Sequence, residues 1–260
     1  MAKNASSLPA RRRANMLELI GRDGSVSVPD LAERFAVSLD TVRRDLDHLA
    51  RSGALVRAHG GALRVSQGDP LKPLADRVLD QSSEKAAIAK LCAKQVRNGE
   101  TLMLNGGSTT LLVAEALADH AQTVVFTNNL ALPASLAPGH FAALHVLGGE
   151  YRALTRVSVG PLLFANSERI NIDTAIIGVR AIHADNGILT SDLAEASMIA
   201  DMMALARRTI VVADASKFGQ YAFATIAPLS AIDILVTDRA PDGALAEALR
   251  GADVSVVTPG

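Results

Sequence analysis

The amino-acid pattern predicts an α/β protein: an N-terminal winged helix-turn-helix domain followed by a C-terminal, mostly parallel α/β domain. Three observations carry that expectation. Residues 28–61 read as two short helices and a hairpin, and from residue 81 short apolar runs alternate with helical stretches. Charge divides at the same place. Residues 1–64 hold 11 Lys and Arg against 7 Asp and Glu, while the remainder is acidic, so a formal charge of −1 over 260 residues hides two unlike halves. A basic piece on an acidic body suits a nucleic-acid reader joined to a separate domain. A hydrophobic fraction of 49% with 20% charged residues excludes a disordered chain.

The N-terminal domain is assigned to residues 1–64. A helix from Ala10 to Arg22 buries Met16, Leu17 and Ile20, and Asp23-Gly24 ends it. The next helix spans Pro29 to Ala36, with Pro29 in the first turn, where its missing N–H costs nothing. Leu31, Ala32 and Phe35 form its buried face. Ser38 has the chemistry of an N-cap, and Val42, Leu46 and Leu49 recur at i, i+4, i+7 in the helix that follows. That phase turns Asp40, Thr41, Arg43 and Arg44 outward at the helix start, where a recognition helix meets base edges and phosphates. Paired arginines on a helix are more often a solvated face. Here Ser52-Gly53 closes the helix, and Leu55-Val56-Arg57 with His59-Gly60-Gly61 supplies a strand and turn where a wing belongs. The candidate contacts to double-stranded DNA are Ser38, Asp40, Thr41, Arg43, Arg44, Arg57 and His59.

Gly68, Pro70 and Pro73 mark residues 65–80 as a linker, and 81–260 as the second domain. Helices are expected at 84–97, 109–118 and from Leu130. Apolar strands are expected at Thr101–Leu104, Thr123–Thr127, Ala143–Leu147, Thr174–Ile177, Thr209–Ala213, Ile232–Val236 and Val254–Val257. Such runs separated by helices argue for a parallel sheet covered on both faces, with ligands at the carboxyl ends of its strands. Polar and glycine-rich segments fall at those ends. They are Asn105-Gly106-Gly107-Ser108-Thr109-Thr110, Asn128-Asn129, Gly148-Gly149, Arg180, and Lys217 within Asp214–Gly219. Glycines and the free N–H groups of a helix start make an anion cradle, although a lone Gly-Gly-Ser-Thr turn is more often a tight connection.

The single cysteine, Cys92, rules out an intrachain disulfide and a cysteine-rich metal site, and its phase with Ile88, Leu91 and Val96 makes it a buried thiol. The sequence calls for no cofactor and no metal. The uncharged run Ala121–Gly149 is broken by Asn128-Asn129, Pro133 and Pro138-Gly139, so it reads as strand–helix–strand and not as a membrane span. A cytoplasmic protein is expected.

V-S-x-x-T-V-R-R-D-L followed by L-V-R-A-H-G-G-A resembles the N-terminal signature of the DeoR family of bacterial transcriptional regulators. L-N-G-G-S-T-T, T-N-N-L, L-G-G, Gly160-Pro161, D-N-G-I-L-T and A-D-A-S-K-F-G resemble that family's sensor domain in the expected order. The resemblance implies a sensor similar in fold to ribose-5-phosphate isomerase and a phosphorylated sugar or related metabolite as effector. It implies effector contacts from Asn105, Gly106, Gly107, Ser108, Thr109, Thr110, Asn128, Gly148, Gly149, Arg180, Glu195 and Lys217. Leu39, Asn105 and Ile199 depart from the family, which more often carries a polar residue or Pro, an Asp and a Lys there. The expected function is a DNA-binding regulator, a repressor of a carbohydrate-metabolism operon acting as a homo-oligomer, dimer or tetramer. The alternative is a sugar-phosphate isomerase-like enzyme using Asp173, Asp214, Glu195 and Lys217 for acid–base chemistry.

Overall fold

A computed structural model describes residues 9–23, 25–51, 55–58, 61–64, 72–162 and 170–259. The chain forms two compact units, Met1–Pro70 and Leu71–Gly260.

In the first unit the order is α1 (Pro9–Asp23), β1 (Ser25–Ser27), α2 (Val28–Phe35), α3 (Leu39–Arg51), β2 (Leu55–Ala58) and β3 (Gly61–Arg64). The Ser27 hydroxyl caps α2 by accepting from the Asp30 N–H, and Ala36 ends it in the left-handed region at φ +51°. The Ser38 hydroxyl accepts from the Thr41 N–H at 3.2 Å and so starts α3. Met16, Ile20, Leu31, Val42 and Leu46 are fully buried where the three helices meet. β2 and β3 form the antiparallel wing, with Leu55 opposite Arg64. The unforeseen β1 pairs with β3, Ser25 opposite Leu63, so the wing belongs to a three-stranded sheet. His59 lies outside the described residues.

The second unit begins with α4 (Leu74–Leu79) and α5 (Ser82–Ala93), followed by β4 (Thr101–Leu104), α6 (Ser108–Ala116), β5 (Val124–Thr127), α7 (Leu132–Ser135) and β6 (Ala143–Val146). A hairpin, β7 (Glu150–Arg152) and β8 (Val157–Val159), precedes β9 (Ile172–Gly178), β10 (Ala181–His183), β11 (Gly187–Thr190), α8 (Leu193–Leu205) and β12 (Ala206–Val212). β13 (Ala224–Ala227), β14 (Ile234–Val236), α9 (Gly243–Gly251) and β15 (Ser255–Val257) complete it. The main sheet has the order β15-β14-β12-β9-β4-β5-β6, and every neighbouring pair is parallel. Two apolar layers sandwich it, one involving α5, α6 and α7, the other α8 and α9. An antiparallel sheet, β10-β11-β13, stands beside it.

The segment read as linker needs a correction. Residues 74–79 are helical because Leu74 is buried and Val78 packs on the core beside α5 and α6. The strand order also reverses between β4 and β9, since successive strands run outward in opposite directions from that point. Such a switch point opens a crevice beyond the carboxyl ends of the two strands.

Candidate functional site

α3 presents one polar face to solvent. Asp40, Arg43 and Arg44 are exposed and Thr41 is half-buried, while Val42, Asp45, Leu46 and Leu49 face inward. Arg44 pairs with Asp40 at 3.0 Å one turn earlier, both side chains being mostly exposed. A pair of that kind is worth about 0.3–0.5 kcal/mol, so Arg44 is easily released to another anion. Ser38 and Thr41 bond to each other through their hydroxyls at 2.9 Å, which gives Ser38 a capping role before any contact with a ligand. α3 is held from behind by Asp45, whose Oδ2 accepts from Arg12 Nε of α1 at 2.6 Å, with both side chains nearly buried. Arg57 lies on β2, in the wing.

The carboxyl edge of the main sheet gathers the second set. Because β12, β9, β4, β5 and β6 are parallel neighbours, the segments after each of them leave the same edge. The turn after β4 is the most constructed part. Asn105 donates from Nδ2 to the Gly178 carbonyl and accepts the Gly178 N–H on Oδ1, both at 2.8 Å, tying the two sides of the switch point together. Asn128 accepts the Gly106 N–H at 2.6 Å and donates to the Ser158 carbonyl at 2.8 Å. The Thr110 hydroxyl donates to the Asn105 carbonyl at 2.7 Å. Asn105, Thr110 and Asn128 are therefore buried struts whose polar atoms serve the backbone. Asn128, expected at sugar hydroxyls, has its amide bonded to the two loops it bridges.

Ser108 and Thr109 differ from these struts. They open α6, and neither hydroxyl hydrogen-bonds to another described residue, although both side chains are nearly buried. Together with Gly107 they bring the partnerless first-turn N–H groups of α6 to the edge. Gly106 is required for close approach, since a Cβ there would lie 2.1 Å from Val157 Cγ1. Gly148 faces open space, whereas a Cβ on Gly149 would lie 2.5 Å from the Val159 carbonyl oxygen, so Gly149 packs on backbone instead of lining the edge.

Charge collects on the other side of the switch point. Glu195 sits in the first turn of α8, accepts the Thr190 hydroxyl at 2.5 Å and feels Arg77 and Arg180. Burial raises its carboxyl above the usual range, against the pull of that hydrogen bond and those cations. Lys217 lies in the 3-10 turn Ala215–Lys217 and shares its surroundings with Lys85, Asp80 and Asp214. Sequence reasoning missed Arg77 and Lys85. Lys85 is buried, donates to the Arg77 and Asp80 carbonyls at 2.5 Å each, and burial lowers its ammonium below the ordinary value. A signal existed: Lys85 is in phase with Ile88, Ala89 and Cys92 on the apolar stripe of its helix.

The acid–base set of the enzyme alternative is split. Asp173 is near the start of β9, where it accepts the Thr101 N–H at 2.9 Å and pairs with Arg207. That is the amino edge of the sheet, opposite Glu195, Asp214 and Lys217. Among the described residues no group of His, Cys, Asp and Glu could hold a metal, and no helix is long and apolar enough to cross a membrane.

A recognition helix with a wing in one unit, and in the other a parallel sheet with a switch point, define a ligand-responsive DNA-binding regulator. The chain belongs to the DeoR family: residues 12–68 match the DeoR-like helix-turn-helix domain and residues 80–239 match the DeoR C-terminal sensor domain. It is 36% identical over 228 residues to the transcriptional repressor AccR of Agrobacterium fabrum, covering 87% of this chain and 88% of that protein. It is 33% identical over 231 residues to the glycerol-3-phosphate regulon repressor of Escherichia coli, covering 89% and 91%. These relatives are regulators, and the chain is a transcription regulator and not an enzyme. A ribose 5-phosphate isomerase from Methanocaldococcus jannaschii matches with a TM-score of 0.40 and 17% identity over 53% of this chain and 55% of its own, too loose a likeness to carry an argument.

Proposed function

We propose that the chain represses a carbohydrate-metabolism operon by binding a double-stranded operator as a cytoplasmic homo-oligomer, and that a phosphorylated sugar releases it. The observation that carries the reading is the turn from Gly106 to Thr109. Two hydroxyls without partners among the described residues and the start of α6 offer donors to a phosphate, while Asn105 and Asn128 fix the turn's shape in advance. Arg77, Lys85, Arg180 and Lys217 supply positive charge on the same edge, with Glu195 available to a sugar hydroxyl. A relative whose name specifies a glycerol-3-phosphate regulon supports a small phosphorylated polyol or sugar. Oligomerisation follows from reach, since one winged module contacts too few base pairs to select a site in a genome.

The test is calorimetry on the full-length protein with glycerol 3-phosphate, ribose 5-phosphate, a hexose 6-phosphate and the unphosphorylated sugars. One phosphorylated compound should bind, and Ser108→Asp should abolish that binding while the protein still shifts operator DNA. Equal binding of a phosphorylated compound by Ser108→Asp would move the site elsewhere. Binding only of an unphosphorylated sugar would overturn the effector class.

A further inference from the structure

Between β6 and β9 the chain throws out an arm, the hairpin β7–β8, whose roots and contacts are unlike those of the other strands. Both roots are glycines in backbone conformations that other residues rarely adopt: Gly149 at φ +140° and Gly160 at φ +148°. They stand side by side, a Cβ on Gly160 falling 3.7 Å from the Gly149 Cα. A pair of such residues at the base of a two-stranded arm can absorb a change of backbone angle, as hinges do. Beyond its own two strands the arm is held by a bridge between Val157 and Asn129, with the Leu130 N–H donating to the Arg156 carbonyl at 2.8 Å, so its position follows the segment after β5.

What it touches adds a second link between two parts of the unit that also meet where α4 packs on α6. On one side β8 lies against the turn after β4. Val157 fills the space that Gly106 leaves, bridges to Asn129, and is followed by Ser158, whose N–H donates to the Asn128 carbonyl at 3.0 Å. At the tip, the Leu154 carbonyl accepts the N–H of Leu74, the first residue of α4, at 3.1 Å. On the third side Arg152 bonds to Asp192, the residue that caps α8 through the Glu195 N–H. Among the described residues its Nε is buried without a partner, so the latch leaves one buried donor unsatisfied. α4 is the first element after residues 65–71, which lead in sequence from the DNA-binding unit.

We propose that the hairpin β7–β8 is a hinged relay: a change at the Gly106–Thr109 turn moves Val157, the arm swings on Gly149 and Gly160, and the Leu154–Leu74 contact carries the motion to α4. The proposal rests on the reading of that turn as the effector site for its biological meaning, but its mechanics need no effector. The arm is coupled to the turn by packing without a void, because Val157 is buried and the Gly106 Cα faces it directly. It is coupled to α4 by one hydrogen bond at a position where the helix N–H has no intrahelical partner.

The experiment uses the unliganded full-length protein and reads backbone amide exchange over 72–80. Gly106→Ala drives a methyl group into Val157, and Val157→Ala removes the atoms it would strike. Exchange at the start of α4 should rise roughly five- to ten-fold in Gly106→Ala, the weight of about one lost hydrogen bond. The double variant Gly106→Ala/Val157→Ala should return it towards the wild-type rate. Unchanged exchange at 72–80 in Gly106→Ala, or a rise that the second substitution does not reverse, would overturn the relay. If Gly106→Ala does not fold, Leu74→Pro replaces it. Proline is compatible there, because Pro73 before it is already extended at φ −46° and ψ 146°, and it deletes only the donor that Leu74→Ala keeps. Operator release by a phosphorylated sugar should then be blunted several-fold in Leu74→Pro relative to Leu74→Ala, with sugar-phosphate affinity equal in the two. Equal release in both would overturn the relay. A wild type that binds no phosphorylated compound would instead count against the effector reading, leaving the exchange result to judge the arm.

Discussion

Removing the Asp45 carboxylate should disable DNA binding without touching a base contact. Asp45 lies on the buried side of α3, its Oδ2 2.6 Å from Arg12 Nε and its Oδ1 3.8 Å from Arg13 Nε, and the Arg12 and Asp45 side chains are each only 9% exposed. Asp45→Ala leaves the Arg12 guanidinium buried without its carboxylate, a change that costs about 3–5 kcal/mol in comparable buried pairs. A unit of some 70 residues has roughly 4–10 kcal/mol of stability in total. The substitution therefore removes about half of what holds α3 against α1, and the population with a correctly placed recognition helix falls accordingly. The assay is chemical denaturation of the full-length protein followed by circular dichroism, beside operator binding by fluorescence anisotropy. The first unit should unfold at lower denaturant while the second is unchanged, and operator affinity should fall. Replacing both partners, Arg12→Met with Asp45→Leu, should recover most of the stability, because two apolar groups need no ion pairing. A stable Asp45→Ala protein, within about 0.5 kcal/mol of wild type and with full operator affinity, would refute the reasoning.

Arg44→Ala should weaken specific operator binding by about 1–3 kcal/mol and relax preference at one base position, whereas Arg43→Ala should weaken all sequences alike and flatten the salt dependence; competition binding at several salt concentrations separates the two. Asn105→Asp should destabilise the second unit by about 2 kcal/mol or more, since a carboxylate cannot donate to the Gly178 carbonyl now 2.8 Å away; denaturation midpoints check it. Cys92 is fully buried and burial pushes its thiol up to about 12, so iodoacetamide at pH 8 should modify it only as fast as the second unit opens. Its raised value contributes stability that is intact below its ordinary value of 9.0 and is lost as pH climbs towards 12.

The main sheet was legible because its strands are continuous apolar runs, and Thr101–Leu104 is strand to the residue. The recognition face was legible for a related reason: Val42, Leu46 and Leu49 fix the phase of α3 and leave its other side to solvent. The smaller elements were not. Glu150-Tyr151-Arg152 and Ser25-Val26-Ser27 are three-residue strands with polar majorities, too short for an alternation to register, and the second also pairs with a partner distant in sequence. α4 was hidden because Pro73 marks a break and only Leu74 and Val78 commit it to the core. Asn105 and Asn128 lie after β4 and β5, and their amides bind neighbouring loops, a role the sequence did not suggest. Sequence position puts an amide at a strand end, but only the fold shows that its donor and acceptor both bond the neighbouring loops. Lys85 was passed over because lysine usually means solvent, and here its charge is met by two helix-end carbonyls.

Coupling of effector occupancy at the sheet edge to operator affinity is tested most directly by fluorescence anisotropy of a labelled fragment from the region upstream of the chain's own coding sequence, titrated with protein and then with individual phosphorylated sugars. Tight, Arg44-dependent binding is expected, with release by one phosphorylated compound at a midpoint that matches that compound's calorimetric affinity and is lost in Ser108→Asp. Operator binding indifferent to every phosphorylated sugar, accompanied by turnover of any of them, would contradict it.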